Sequence, residues 1–480
     1  MSSRTTNKIL AASTVLAATA CSFAPEYKRP EAGVPAEYRF AQPKEAASIA
    51  DVPWFEVFKD PTLHDLIRAA LANNQDLALA AARVDEARAF VGIAKADFYP
   101  QISASADGAY GRPLSKEINP AATTGGRYSL SAALSWELDL WGRIRNASDA
   151  AMADLLATEN GRRAVVLSLV SGVAQTYLNL RSLDLQLEIA KSNTETRKGT
   201  LDLFQARARR GIASDLEVNQ ARSDLAVTTA AIPETELQIA ITEHQICVLL
   251  GRAPGPIPRG SALVDTAVPP EIPMGVPAQL LERRPDVLAA EQGVIGAGKR
   301  VGVAIANRLP TLSLSGFIGL QAVTIPNLFG SNAVAGSAGG GLFAPIFQGG
   351  RLASEEEGAR ARLEQSIASY RRAVEQALQE VADAAVGIQK LRTARLARTD
   401  QVQAITVAAR LAMRRYEGGI STYFEVLDAQ RQQFDAQLAL ARAQRDELTS
   451  VVLLYRALGG GWQTEAPAPS PPAPAPAPMK

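Results

Sequence analysis

The chain has 480 residues, and its 50 basic and 49 acidic side chains leave a net charge of +1, so no global field draws it to nucleic acid or to acidic partners. Two histidines and two cysteines are too few for metal centres or a disulfide framework. No Ser/His/Asp or Cys/His set is available either, so neither an enzyme nor a cofactor is expected.

Residues 1–20 carry Arg4 and Lys8 and then a short apolar run, the pattern of a secretory signal peptide. The run ends in Ala18-Thr19-Ala20-Cys21, which resembles a lipoprotein signal cleaved before cysteine, although Ala18 stands where a leucine is usual. Cys21 is therefore the expected lipidation site, and Ser22 after it implies outer-membrane sorting. Residues 21–60 are proline-rich and aperiodic, and read as an extended arm. Asp60-Pro61-Thr62 opens a first repeat, residues 61–260. Its first helix shows Leu63, Leu66, Ala70, Leu77 and Ala80 on one side and runs to about Phe98, where Tyr99-Pro100 stops it.

The period then changes from 3.6 to 2. Over residues 128–140 the even positions are Tyr128, Leu130, Ala132, Leu134, Trp136, Leu138 and Leu140, with mostly polar residues between them. That is a strand with one apolar face, long enough for a membrane, and residues 101–110 form its weaker partner in a hairpin over 101–140. A helix of some 65 residues, on the order of 100 Å, follows to about Arg209. Gly211 ends it, and Ser214 with Glu217 offers a capping box for the next helix, so Arg210-Gly211-Ile212-Ala213-Ser214 is a hairpin tip. Pro233 should kink or break the outgoing helix.

A linker over 261–277 leads to a second repeat, 278–462. Gly211 returns as Gly419, a step of 208 (419 − 211), and Leu250-Gly251 returns as Leu458-Gly459 at the same step. The second copy repeats the order: a helix over 276–307, a hairpin over 311–347 with strands at 311–321 and 337–347, a long helix over 351–415, a tip over 418–425 and a last helix. Thr422 and Glu425 supply its capping-box pattern. The Ala/Pro tail, 463–480, is too poor in apolar bulk to pack and reads as disordered.

Two lesser motifs are read as packed helix. Gly293 to Lys299 has P-loop spacing, but Arg300 stands where a magnesium-holding hydroxyl belongs and no strand precedes it. His244 and Cys247 share a helix face with no third ligand type near. Four strands cannot close a membrane barrel, so the sheet is either a soluble one covered by helices or part of a barrel shared between chains. The signal and Ser22 favour the second.

Several runs together resemble the outer membrane factors of tripartite efflux pumps, the TolC/OprM-like proteins, in their lipoprotein branch. They are Tyr27-Lys28-Arg29-Pro30, Trp54 with Phe58-Lys59-Asp60-Pro61, Asn73-Asn74-Gln75-Asp76-Leu77, Trp136-Glu137-Leu138-Asp139-Leu140-Trp141-Gly142-Arg143, Leu280-Leu281-Glu282-Arg283-Arg284-Pro285-Asp286-Val287, Leu427-Asp428-Ala429-Gln430-Arg431 and Tyr455-Arg456-Ala457-Leu458-Gly459-Gly460-Gly461-Trp462. The resemblance implies an α+β membrane protein: a homotrimer with a twelve-stranded β-barrel in outer membrane lipid and an α-helical barrel in the periplasm. It implies passive conduction of substrate delivered by an inner-membrane RND-type transporter and a periplasmic membrane-fusion adaptor. The adaptor would meet Gly211, Ile212, Ala213 and Ser214 at one tip and Gly419, Ile420, Ser421 and Thr422 at the other. A gate would form from Phe424, Glu425, Asp428 and Arg431, with Tyr416 and Glu217 tying neighbouring helices. Phe424 packing and the pairing of Asp428 with Arg431, in the same or a neighbouring subunit, are expected to hold it shut. A type I protein-secretion duct and a periplasmic coiled-coil structural protein are the rival readings.

Overall fold

The structure is a computed structural model that describes residues 23–35, 37, 48–49, 60–111, 125–265 and 276–460. The signal peptide, Cys21, Trp54, Phe58, Lys59, Gly461, Trp462 and the tail lie outside the described residues. The helices are α1 (Pro61–Asn73), α2 (Gln75–Ala96), α3 (Arg143–Arg209), α4 (Asp215–Leu249), α5 (Leu280–Arg283), α6 (Pro285–Ala306), α7 (Arg351–Glu417) and α8 (Tyr423–Ala457). The strands are β1 (Gln101–Gly111), β2 (Gly125–Leu138), β3 (Thr311–Ala322) and β4 (Val334–Phe343). Helices α3 and α4 recur as α7 and α8 with every bound moved by one repeat step.

The chain divides into two compact units. The first gathers the described parts of Met1–Glu31, Ala82–Glu159 and Ala289–Arg372, and the second those of Ala32–Ala81, Asn160–Leu288 and Ala373–Lys480. The first unit holds one antiparallel sheet in the order β1-β2-β3-β4. Its register pairs Ser105 with Ser131, Ser131 with Gly319 and Ser315 with Gly339, so odd-numbered residues of all four strands share one face. The even face carries Ile102, Leu130, Leu134, Leu314, Ile318 and Leu342 and no serine, threonine, amide or charged side chain. Tyr110 and Tyr128 sit at its loop end and Trp136 at its helix end. Among the described residues no helix covers either face: Ile102 is 75% exposed and Leu342 71% on the even side, and Ser103, Ser105, Ser135 and Ser315 are exposed on the odd. The outer edges of β1 and β4 have no strand partner among the described residues.

The run Trp136 to Arg143 turns strand into helix. Glu137 and Arg143 form a two-pronged ion pair at 2.8 Å on each prong, and the Asp139 carboxylate accepts from the amides of Ile144 (3.0 Å) and Arg145 (2.9 Å), capping α3. The Trp141 indole donates to the Pro310 carbonyl at 2.6 Å, tying this junction to the start of β3. The arm joins the same unit. The Phe23 ring lies 6.3 Å from that of Trp141, and farther along, Tyr27 (2.6 Å) and Arg29 (2.8 Å) both donate to buried Glu291 on α6.

In the second unit, each repeat closes on itself through one joint. Asn74, between α1 and α2, caps α2 by accepting from the Leu77 amide (3.0 Å) and donates to the Leu249 carbonyl (3.0 Å). One repeat later, buried Arg284 donates to the Ala457 carbonyl at 2.9 Å while pairing with Asp286 and Glu380, both at 2.7 Å. Gly251 and Gly459 sit beside these joints with φ of 66° and 76°. A Cβ at Gly251 would stand 2.1 Å from the Asn73 carbonyl oxygen, so both the turn and the close approach require glycine.

Four expectations change. The helix expected to run unbroken to Phe98 is divided at Asn74, which leaves the helix to make its joint, and its counterpart over 276–307 at Arg284, which Pro285 holds extended while its side chain makes the matching joint. Of the two outcomes expected at Pro233 the break does not occur: α4 runs through it, with Pro233 and Thr229, whose carbonyl loses its helix donor, both exposed. The fourth strand is Val334–Phe343 rather than 337–347, its register set by pairing with β3. The fourth concerns the second cap, described below.

Candidate functional site

The two tips end their incoming helices identically. Gly211 and Gly419 take φ of 73° and 72°. The Ile212 amide reaches back to the Arg207 carbonyl at 3.0 Å and the Ile420 amide to Arg415 at 2.9 Å, the six-to-one bond of a Schellman turn. Their outgoing helices differ. Ser214 makes the full capping box, its Oγ accepting from the Glu217 amide (3.3 Å) while Glu217 accepts from the Ser214 amide (2.8 Å). Thr422 makes no side-chain cap, contrary to its sequence pattern. The reason lies in the partners: the Tyr416 hydroxyl donates to Glu217 at 3.0 Å and steadies it, whereas the residue one repeat before Tyr416 is Ala208. Without a hydroxyl, Glu425 turns to Arg415, 3.8 Å away.

The Tyr416–Glu217 bond therefore joins the tip of one repeat to that of the other. Beneath it Phe204, Tyr416 and Tyr423 form a ring cluster, with Phe204 to Tyr423 at 4.3 Å and Phe204 to Tyr416 at 5.6 Å, packed among Leu201, Ala221, Val426 and Leu427. Burial raises the Tyr416 pKa, and Glu217 raises it further by accepting the proton's hydrogen bond. The Glu217 pKa is lowered, first by the Ser214 amide and then, against some desolvation, by Tyr416 and Ser214 hydroxyls.

Asp428 and Arg431 do not meet within the chain. The Asp428 carboxylate accepts from Gln432 at 2.7 Å, and Arg431 pairs with Asp224 of α4 at 3.0 Å. Asp224 is 1% exposed and also holds Arg197 of α3, 3% exposed, at 3.1 Å. Arg197 in turn donates to the Asp224 and Gln430 carbonyls and lies over the Phe434 ring at 5.3 Å. This knot binds three helices just inside the tips, and burial lowers the Arg197 pKa against the pull of Asp224. Sequence reading missed Arg197 and Asp224. The available signal was an acid at the buried position of the series Ala221, Asp224, Thr228.

The exposed side of the tips is apolar at Ile212 (71%), Leu216 (67%), Ile420 (71%) and Phe424 (64%). Phe424, Asp428 and Arg431 share one exposed face of α8, opposite buried Tyr423, Val426 and Leu427. Ala213 packs partly against the cluster, and the Ser421 hydroxyl is buried with no hydrogen-bond partner. His244 is exposed and Cys247 buried, its thiol donating to the Gly255 carbonyl, so the two do not face a common ligand. Lys299 lies within α6 and pairs with Asp149 at 2.9 Å.

The sequence model of the outer membrane efflux proteins matches residues 66–252 and 276–460, one match in each repeat. The chain is 35% identical over 439 residues to the pyoverdine export outer membrane protein OpmQ of Pseudomonas putida, covering 90% of this chain and 93% of that one. It is 32% identical over 460 residues to the cation efflux system protein CusC of Escherichia coli, covering 95% and 99%. Among solved structures, the outer-membrane channel OprN superposes with a TM-score of 0.86 at 32% identity, over 92% of this chain and 100% of that one.

Proposed function

The chain belongs to the outer membrane efflux protein family and is an outer membrane efflux channel, and from that premise we propose that three copies close a twelve-stranded barrel through which cargo leaves the cell. The observation that carries this is the uncovered sheet, with an even face free of polar side chains other than terminal Tyr and Trp, a serine-rich odd face and two unpaired edges. In lipid, each unpaired backbone group costs several kcal/mol, so β1 of one copy must pair with β4 of the next. Tyr and Trp at the two ends of the even face fit the two interfaces of a membrane.

The channel is passive: cargo is delivered by an inner-membrane RND-type transporter and a periplasmic membrane-fusion adaptor. The adaptor docks on the exposed apolar tips around Gly211–Ser214 and Gly419–Thr422. Three copies of Phe424 form an apolar constriction with a ring of Asp428 one turn away, and the Tyr416–Glu217 bond holds the tips in the shut arrangement. Arg431 supports the ring from its seat on Asp224. A lipid on Cys21 anchors the arm in the outer membrane, two residues before Phe23.

The test is the assembly itself. Purified from outer membranes, the unboiled chain should migrate at three times its monomer mass and conduct ions in planar bilayers. Phe424→Ala should raise the open fraction, and Asp428→Asn should lower cation preference. A conducting species of any other copy number would overturn the barrel, and unchanged gating in both variants would overturn the gate.

A further inference from the structure

The even face of the sheet accounts for the membrane, but the odd face has a chemistry of its own. At its loop end lie Asp107 and Arg127, of opposite sign and close in register, since Asp107 faces Ser129 while Arg127 faces Ala109. At its helix end Glu137 is neutralised by Arg143 through both prongs of the ion pair. Between those rims the odd face has no ionisable side chain among the described residues. Serine dominates it, with Ser103, Ser105, Ser131, Ser135, Ser313 and Ser315 in neighbouring rows. Their neighbours are small as well: Ser131 sits beside Gly319, Ser313 beside Gly341 and Ser315 beside Gly339. The whole second hairpin is uncharged, since no Asp, Glu, Lys or Arg occurs between Arg308 and Arg351.

Resting on the barrel proposed above, which makes this face the wall of the passage, we infer that the wall is blind to the charge of its cargo. Between its rims it passes anionic, cationic and neutral water-soluble compounds alike, so any charge discrimination by the channel arises outside this stretch. Selectivity for one sign needs fixed charges or a dense array of oriented dipoles at close quarters. A serine hydroxyl both donates and accepts and turns to suit, so it solvates either sign weakly. Part of that capacity is already spent along the wall, where the hydroxyls of Ser105 and Ser131 lie 3.2 Å apart and Ser313 donates to the Gly341 carbonyl at 3.4 Å. Residues 129 to 135 make the neutral stretch roughly 20 Å long, more than one screening length at physiological salt.

The experiment measures local potential at the wall independently of the gate. Ser131→Cys and Ser315→Cys, with Leu130→Cys and Ile318→Cys as even-face controls, are made in a Cys247→Ser parent. The assembled channel in outer membranes is exposed to a cationic and an anionic methanethiosulfonate at physiological salt, where screening over about 8 Å isolates the stretch from its charged rims. Rates are corrected for the parent and divided by those on free cysteine. The expected result is that both serine positions react with both reagents, with normalised rates agreeing within about fivefold, while the even-face positions react with neither. A larger bias of either sign at Ser131→Cys and Ser315→Cys, with the controls still silent, overturns charge-blindness and leaves the barrel standing. Reaction at Leu130→Cys and Ile318→Cys, or none at the serine positions, overturns the barrel and the inference together.

Discussion

Among single residues, burial separates the groups that hold the tip region together from those that stand exposed on its surface. Asp224 is buried between Arg197 and Arg431, so Asp224→Ala strands a buried guanidinium and should cost about 3–5 kcal/mol, read as a fall in the thermal midpoint of the solubilised protein. Asp428 is exposed and meets only Gln432, so Asp428→Ala should change stability by less than about 0.5 kcal/mol. Equal destabilisation by both would contradict this division. The Tyr416–Glu217 bond has a defined pH window. Glu217 has a folded pKa below its usual 4.5, so its contribution is full above that value and disappears as pH falls through the lowered one. Tyr416 has a folded pKa above its usual 10.0, so its contribution is full below that value and is lost as pH rises through the raised one. The link should therefore hold across the whole neutral range. Conductance of the purified channel should be flat from about pH 5 to 9 on its account, and Tyr416→Phe should raise it at every pH in that range.

Among the elements, the helix ends and the arm carry the testable content. The left-handed glycines at the tips admit no substitute without strain: an L side chain at Gly211 or Gly419 costs about 1–2 kcal/mol, and proline cannot adopt the conformation at all. Gly211→Pro and Gly419→Pro should leave the trimer folded and abolish adaptor crosslinking at the altered tip; normal crosslinking would remove the tips as docking sites. The Glu291 carboxylate gathers the side-chain bonds of the arm, beside the Phe23–Trp141 ring contact and the bond that Arg371 donates to the Glu31 carbonyl. Glu291→Gln removes the negative charge that accepts three bonds, one from Tyr27 and two from Arg29, and leaves weaker ones. Tryptic cleavage after Lys28 should then accelerate about tenfold, a loss on the order of 1.4 kcal/mol in arm docking. Tyr370→Phe is the matched control, because that hydroxyl is buried beside the same cluster with no hydrogen-bond partner. Equal cleavage of Glu291→Gln and the parent would mean that the arm is held elsewhere.

For the whole molecule, duplication is the economy of the fold and its departures are where function concentrates. The halves agree in the bounds of α3 and α7, of α4 and α8, in the Schellman turns and in the joints at Leu249 and Ala457. They differ at the tips: Phe424, Asp428 and Arg431 correspond to Leu216, Gln220 and Ser223 one repeat earlier. In the proposed trimer, the face that carries Asp428 in the second tip would therefore form an acidic ring with no equivalent at Gln220 of the first. Loss of Cys21 should remove palmitate labelling without dispersing the trimer, because the uncovered strands anchor themselves. A monomeric Cys21→Ser protein in outer-membrane extracts would refute that.

Much of this was readable from the sequence. Hydrophobic period is local, so the switch from 3.6 to 2 marked the sheet segments, and the alternation over 128–138 already sorted an apolar from a serine face. The glycines of the tips and the repeat step were legible for the same reason, since a Schellman turn needs only its own few residues. Tertiary structure alone decided what depends on partners distant in sequence. Whether a capping pattern is used depended on Tyr416, 199 residues from Glu217. Whether Arg431 meets Asp224 depended on three helices converging, and the break at Asn74 on the carbonyl of a helix that ends much later in the chain, whereas the break at Arg284 was legible in the proline that follows it. A side chain offered several partners binds the one that packing brings within reach and shields from water, and a linear pattern holds no record of that distance.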